Sequence, residues 1–318
     1  MSSVQTLEVP GFQVVQFLGS GACSTIWRVR ESRTDKHFAL KRVIRRHSGD
    51  FRFLEQAQNE YDVGHRLDHP VLRHIHSIRR VKRWLRLHEI HVIMEFCDGR
   101  TVQDERPRTV ADALRIFEQV AAGLSYMNAQ GFVHADTKPN NIVVSPAGAV
   151  KLIDFGQSCP LGTIKQRIQG TPDFIAPEQV HRRPLDARTD VFNFGAALYW
   201  TLARRPIPTI LPKGNSTLMA DLAVQPLEQV NFEVPPALSK LVADCIELHP
   251  TRRPVSMNEV ASRLGLIAHK IQRDAMNGGS PPPAPSADDT AKFDAIEILE
   301  GEDKPVKNGG RNGNGTGH

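Results

Sequence analysis

Asp136, Lys138 and Asn141 stand close together in His134-Ala135-Asp136-Thr137-Lys138-Pro139-Asn140-Asn141, and Asp154 opens Asp154-Phe155-Gly156 thirteen residues after Asn141. Asp and Asn side chains are hard oxygen donors. Two of them suit a Mg²⁺ ion, which dehydrates reluctantly and takes its other ligands from waters and phosphate oxygens. Far upstream, Leu18-Gly19-Ser20-Gly21 puts two glycines between β-rich segments. Such a turn lets backbone N–H groups lie against an anion, although alone it reads equally as a plain hairpin. Lys41 follows twenty-two residues after Gly19. A lysine this deep in a β-rich region needs an anionic partner, because burying it unpaired is costly. Glu60 and Glu55, in the next helical stretch, are the candidates.

Ala176-Pro177-Glu178 comes twenty-four residues after Asp154, counted to Glu178. The order and spacing of these three strings, with Phe38-Ala39-Leu40-Lys41 upstream, resembles the eukaryotic-like serine/threonine protein kinase family over about residues 11–270. The resemblance implies an α+β, bilobal kinase fold: a small β-rich N-lobe with one main helix (11–96) and a larger helical C-lobe (97–272). It also implies roles. Asp136 is the base toward a substrate hydroxyl, and Lys138 steadies the transferring phosphoryl group. Asn141 and Asp154 hold Mg²⁺ between the phosphates of ATP. Leu18, Gly19, Ser20 and Gly21 cover the nucleotide, and Lys41 reaches its α- and β-phosphates. Glu60 pairs with Lys41, preferred to Glu55 because it stands ten residues before Pro70. Ile26 sits on the adenine, and Ala39 and Val143 complete the nucleotide-binding set. The Glu95 carbonyl and the Cys97 N–H read the adenine edge, with Met94 as gatekeeper. Glu178 and Arg253 resemble the family's buried ion pair, and Asp190 its brace on the catalytic loop. Lys138 and Thr171 point to the serine/threonine branch.

The chain departs from the family at three places. Ser24 replaces a third glycine, which changes no phosphate-binding group. Ala135 stands where many members carry arginine, a non-RD arrangement. Such an arginine receives a phosphate on the activation loop, so phosphorylation of Ser158 or Thr163 has lost its usual receiver. The loop is then expected to be held by other contacts, with Lys165 and Arg167 as candidates. Gly64 stands where a bulky apolar residue would stack on Phe155 and His134, so a loosely docked helix is expected around Glu60.

The elements that must position these residues are legible from pattern. β-Rich runs at 12–17, 26–30 and 37–43 are followed by helical spacing over 51–67, then by strand-like runs near 74–80 and 88–95. Helices are expected at 110–129, 187–204, 237–247 and 255–273. The run Arg79-Arg80-Val81-Lys82-Arg83-Trp84-Leu85-Arg86 reads as a hairpin with a solvated basic face. From 273 onward, Pro, Gly, Asn and Ser dominate, a composition that predicts a disordered tail dispensable for catalysis. Its one acidic and apolar island is Phe293–Leu299.

The 318 residues carry net +5, distributed as +6 over 1–95 and −3 over 273–318. A basic first third attracts polyanions, but no nucleic-acid-binding motif accompanies it, so nucleic acid is not an expected partner. The four cysteines are widely spaced and the thirteen histidines lack metal-ligand spacing, which suits reduced thiols in a cytoplasmic protein. The N-terminus lacks the features of a signal peptide. Val191–Ala203 is too short to span a bilayer and reads as a buried core helix. The expected activity is ATP- and Mg²⁺-dependent phosphorylation of Ser/Thr hydroxyls on a protein substrate. A pseudokinase scaffold is the alternative, supported only by Ala135, Gly64 and Ser24.

Overall fold

β-Branched and aromatic residues in the first hundred positions do assemble into one sheet. The computed structural model describes residues 9–21, 23–208 and 224–276. Its first strands are β1 (Phe12–Ser20), β2 (Ser24–Glu31) and β3 (His37–Ile44), followed by helix α1 (Phe51–Gly64) and strands β4 (Ile75–Arg83) and β5 (Arg86–Glu95). The five strands pair antiparallel in the order β1-β2-β3-β5-β4. Central β5 is buried from Glu89 to Met94, whereas edge strand β1 is largely exposed. Helix α1 buries Leu54, Ala57, Glu60, Val63 and Gly64, which recur at helical spacing and form one face. Glu60 is the lone charge on that face, so its partner must be inside.

The rest of the chain is mostly helical. Thr109 caps α2 (Val110–Ala129) through Asp112 N–H, and Asp186 caps α4 (Ala187–Ala203) through Arg188 N–H. Short strand β6 (Arg100–Thr101) precedes α2, and between the two helices lie strands β7 (Phe132–Val133), β8 (Ile142–Val144), β9 (Val150–Leu152) and β10 (Cys159–Pro160), and the single-turn helix α3 (Pro177–Val180). Beyond α4 come α5 (Leu227–Val230), α6 (Pro236–Cys245) and α7 (Met257–Met276). Helix α4 is buried all round from Thr189 to Ala203, which explains why its sequence is apolar without a polar face. Phe117 of α2 meets Phe194 of α4 edge-to-face, with ring centroids 5.3 Å apart. A sheet-rich first part and a helical second part make the bilobal protein kinase fold.

The hairpin expected at 79–86 is present, with its strands running to Arg83 and from Arg86. Helix α7 runs to Met276, three residues past the helix end expected at 273. The remainder of the expected tail, Phe293–Leu299 included, lies outside the described residues. Among the described residues no helix is long and apolar enough to cross a membrane.

Candidate active site

Strand β3 delivers Lys41 and helix α1 delivers Glu60, and their side chains meet at 2.6 Å. Glu60 is buried and Glu55 is exposed, so of the two candidate partners only Glu60 turns inward. Lys41 also lies 3.6 Å from Asp154, which follows β9. Burial works against the Lys41 charge, but Asp154 and Glu60 more than offset it and hold the ammonium above its ordinary value. In return Lys41 holds the Asp154 carboxyl down to about 2 against the cost of burial. Asp154 adopts φ 70°, and its Oδ1 accepts the Gly156 N–H. The three charges form one cluster with a net negative balance, ready for a cation.

Residues 134–141 form a braced loop between β7 and β8. The Asp190 carboxylate accepts the backbone N–H groups of His134 and Ala135 at 3.0 and 2.9 Å, and it also binds Asn128. That is the brace expected of Asp190. Buried His134 accepts the Asp136 N–H through Nδ1, and burial pushes its pKa down. The Lys138 ammonium bonds Asp136 Oδ2 at 2.8 Å and Thr171 Oγ1 at 2.6 Å, while the Thr171 hydroxyl donates to Asp136 Oδ1 at 2.9 Å. Burial raises the proton affinity of Asp136, opposed by Lys138 and Thr171. The Asn141 amide donates to the Asp136 carbonyl at 2.8 Å. Among the described residues its oxygen accepts no hydrogen bond, which leaves a hard donor open.

Above this loop, Ile26 pairs across the sheet with Lys41, and Ala39 with Met94, so Ile26, Ala39, Lys41 and Met94 share one surface. Gly19 looks onto open space where a Cβ would meet nothing, and Leu18 is exposed beside it. Gly21 is tighter: its N–H bonds the Ser24 carbonyl, and a Cβ there would stand 2.9 Å from Ser24 Oγ. Ser24 thus closes the turn. At the end of β5, the Glu95 side chain is held by Lys151, and just beyond it Cys97 N–H has no hydrogen-bond partner among the described residues. Buried Val143 lies on β8, across from Lys151.

Residues 12–263 match the protein kinase domain family. The chain belongs to that family. It is similar to a probable serine/threonine-protein kinase of Clostridium acetobutylicum (23% identical; 83% of this chain, 41% of the relative). It also resembles serine/threonine-protein kinase PknA of Mycobacterium tuberculosis (26% identical; 86% and 63%). A third relative is serine/threonine-protein kinase PknJ of Mycobacterium bovis (29% identical; 86% and 48%). The chain spans less than two thirds of the length of these curated relatives.

One expectation drawn from the departures in this kinase sequence does not hold. Gly64 does not loosen α1. A Cβ at Gly64 would stand 2.9 Å from Phe155 Cδ2 and nearer still to Ile75 Cγ1, so the helix is docked too closely for any side chain there. Ile75 fills the space that a bulky residue at 64 would have taken, and Phe155 still meets His134 edge-to-face at 5.8 Å. Of the two loop hydroxyls named above, Ser158 is not accessible to phosphorylation. It is 1% exposed, and its hydroxyl donates to the His134 carbonyl.

Among the described residues the loop after Asp154 is held by hydrogen bonds and packing, without an ion pair. Ala135 packs with Val133, Cys159 and Leu185 in a small apolar cluster. Of the two cations expected to hold the loop, Lys165 does so, donating to the Gln157 carbonyl at 2.7 Å; Arg167 lies beside Gln169. Sequence reading missed Asn59, whose side-chain nitrogen lies within hydrogen-bond reach of the carbonyls of Phe155, Gly156 and Ser158. It missed Gln179 as well, which ties the Ala135 and Gln169 carbonyls together. Polar residues next to Glu60 and Glu178 on otherwise buried helix faces were the available signal. At the base of the loop Glu178 and Arg253 form the expected pair, at 2.7 and 2.9 Å, and Arg253 also satisfies the carbonyls of Arg188, Glu247 and Leu248.

Proposed function

We propose that this chain is an ATP- and Mg²⁺-dependent protein kinase of the non-RD type that phosphorylates Ser/Thr hydroxyls of protein substrates. The observation that carries this reading is the junction of two clusters: Lys41 with Glu60 and Asp154, and Asp136 with Lys138 and Thr171. The donor set fits magnesium. The Asp154 carboxylate stays ionised, and the open Asn141 oxygen is a second hard ligand. A metal held there neutralises charge on the phosphates. Among the described residues no group of three or more His, Cys, Asp or Glu could hold a metal by itself, so Asn141, Asp154 and the nucleotide's phosphate oxygens would have to share a bound ion.

The chain's own residues supply positioning and charge. Lys41, fixed by Glu60, meets the α- and β-phosphates beneath the Gly19–Gly21 turn. Ile26, Ala39 and Val143 enclose the adenine, whose edge is read by the Glu95 carbonyl and the unpaired Cys97 N–H. Asp136 accepts the proton of the substrate hydroxyl as its oxygen attacks the γ-phosphorus and the bond to ADP breaks. Thr171 and Lys138 fix the Asp136 carboxylate so that it presents one geometry, and Lys138 steadies the moving phosphoryl group. The serine/threonine branch is supported by that Thr171–Lys138 contact and by the names of the relatives.

Purified chain with Mg²⁺-ATP and a general protein acceptor should yield phosphoserine or phosphothreonine. Lys41→Met, Asp154→Asn and Asp136→Asn should each abolish transfer, with the fold retained by circular dichroism. Nucleotide binding by the wild type with no phosphoprotein formed would favour the scaffold reading instead.

A further inference from the structure

The turn joining β4 to β5 is built against its own backbone preference. Arg83 pairs with Arg86, so Trp84 and Leu85 make a two-residue loop, and their φ values are 52° and 64°. Loops of this kind favour Asn-Gly, Asp-Gly or Gly-Gly, because bulky side chains crowd their own backbone in the left-handed region. Here two large apolar residues take both positions and pack against almost nothing. Trp84 is 90% exposed and Leu85 94% exposed. A pair that strains the turn and, among the described residues, adds nothing to the core is placed for contact outside the described fold.

The surroundings narrow the partner. From Arg79 to His88 the hairpin holds Arg79, Arg80, Lys82, Arg83 and Arg86 and no acidic residue. Arg45 and Arg46, just past β3, converge on the same end and line one open depression of about 600 Å³ with Arg83, Trp84 and Arg86. Among the described residues none of Arg45, Arg46, Arg83 and Arg86 makes an ion pair. The nearby carboxylates are already engaged: Glu89 by Arg42 and His91, and Asp50 by the backbone N–H groups of Arg46 and His47. The tip is therefore uncompensated positive charge behind a projecting apolar pair.

We propose that the β4–β5 tip is a peripheral docking site for an anionic lipid surface. A tryptophan suits the headgroup layer, a leucine reaches the acyl boundary, and arginines pair with lipid phosphates. An apolar wedge combined with a polybasic patch supplies the two signals that reversible membrane attachment needs. Nucleic acid would use the arginines and stack on Trp84, but it gives Leu85 no counterpart. A groove-binding peptide needs a concave apolar seat, whereas Trp84 and Leu85 project.

The test sediments the full chain with phosphatidylcholine vesicles, with and without phosphatidylglycerol, while following tryptophan emission. Trp27 and Trp200 are packed within the fold, so a blue shift on binding reports Trp84. Binding is expected only to the anionic vesicles, with a blue shift, and it should weaken as salt rises. Trp84→Asn combined with Leu85→Gly installs the residues such a turn prefers, so the fold is kept while the wedge is lost. Vesicle affinity should then fall by about tenfold or more. Arg83→Glu with Arg86→Glu should remove the preference for anionic lipid. Phosphorylation of a soluble acceptor without vesicles should be unchanged in both variants. Equal vesicle binding by the Asn-Gly variant, or equal binding to neutral and anionic vesicles, would overturn the proposal. So would tip-dependent binding of an oligonucleotide at a salt concentration where vesicles are ignored.

Discussion

Gly64 of α1 and Phe155 of the Asp-Phe-Gly segment meet with no room for a methyl group between them. This contact carries the position of Glu60, one turn earlier on the same helix, and so the Lys41–Glu60 pair. A glycine costs a helix about 1 kcal/mol relative to alanine, whereas crowding a packed core costs about 1–3 kcal/mol. Here crowding wins, because the atoms in the way belong to Ile75 and Phe155, both fully buried.

Gly64→Ala should therefore lower the melting temperature and reduce phosphoryl transfer together. A loosely docked helix predicts the opposite sign, a stabilisation from improved helix propensity. Thermal melting of the single variant separates the two accounts.

Asn59 fastens α1 to the loop after Asp154. Asn59→Ala removes a donor shared by three carbonyls, and a typical net hydrogen bond is worth about 0.5–1.5 kcal/mol. The fold should survive, kcat should fall by about tenfold or less, and amide exchange should rise across 154–160. Asn59→Asp should behave at least as badly, since it brings charge and no donor to those carbonyls. Unchanged exchange in both variants would remove Asn59 from the positioning of this loop.

Ser158 and Thr163 should respond differently to substitution. Thr163 is half-buried, and Thr163→Ala should change activity within several-fold, because Ala135 offers no cationic receiver. Ser158→Asp should destabilise the chain, since it buries a carboxylate among neutral groups where only a hydroxyl was accommodated. Phosphosite mapping by mass spectrometry should find no phosphate on Ser158 in the folded protein. Phosphate there, with a gain in activity, would reverse this reading.

The acid limb of the pH–rate profile should belong to Asp136 rather than Asp154. Lys41 holds Asp154 down to about 2, so it stays ionised well into acid. Burial moves Asp136 the other way, and a protonated Asp136 cannot accept the hydroxyl proton. Activity should therefore fall through a pH above the ordinary aspartate value of about 3.9. Thr171 donates to Asp136 and favours its ionised form, so Thr171→Ala should shift this limb further upward. A shift downward, or none, would disconnect Thr171 from the base.

Glu178→Ala leaves the Arg253 guanidinium buried without its carboxylate and should cost about 3–5 kcal/mol in chemical denaturation. Combining Glu178→Leu with Arg253→Met should cost less than the sum of the single losses, because no lone charge remains inside.

The chemistry of the site was legible in residue order because its parts are short and local. A glycine turn, a lysine on a strand and a loop holding Asp136, Lys138 and Asn141 depend on spacing along the chain, and spacing is what a sequence displays. The longer helices and the strands of the first sheet were legible for the same reason, since periodicity is local, whereas the short strands β6–β10 were not. Contacts between elements far apart in sequence were decided only by tertiary packing. Gly64 looked like a weakness until Ile75 and Phe155 closed on it, and Ser158 looked like a loop hydroxyl until His134 covered it. Asn59 had no visible purpose before carbonyls ninety-six or more residues away turned toward it. Trp84 and Leu85 are the converse case: their apolar character is plain in the sequence, but their exposure follows from the two-residue turn that packing leaves uncovered.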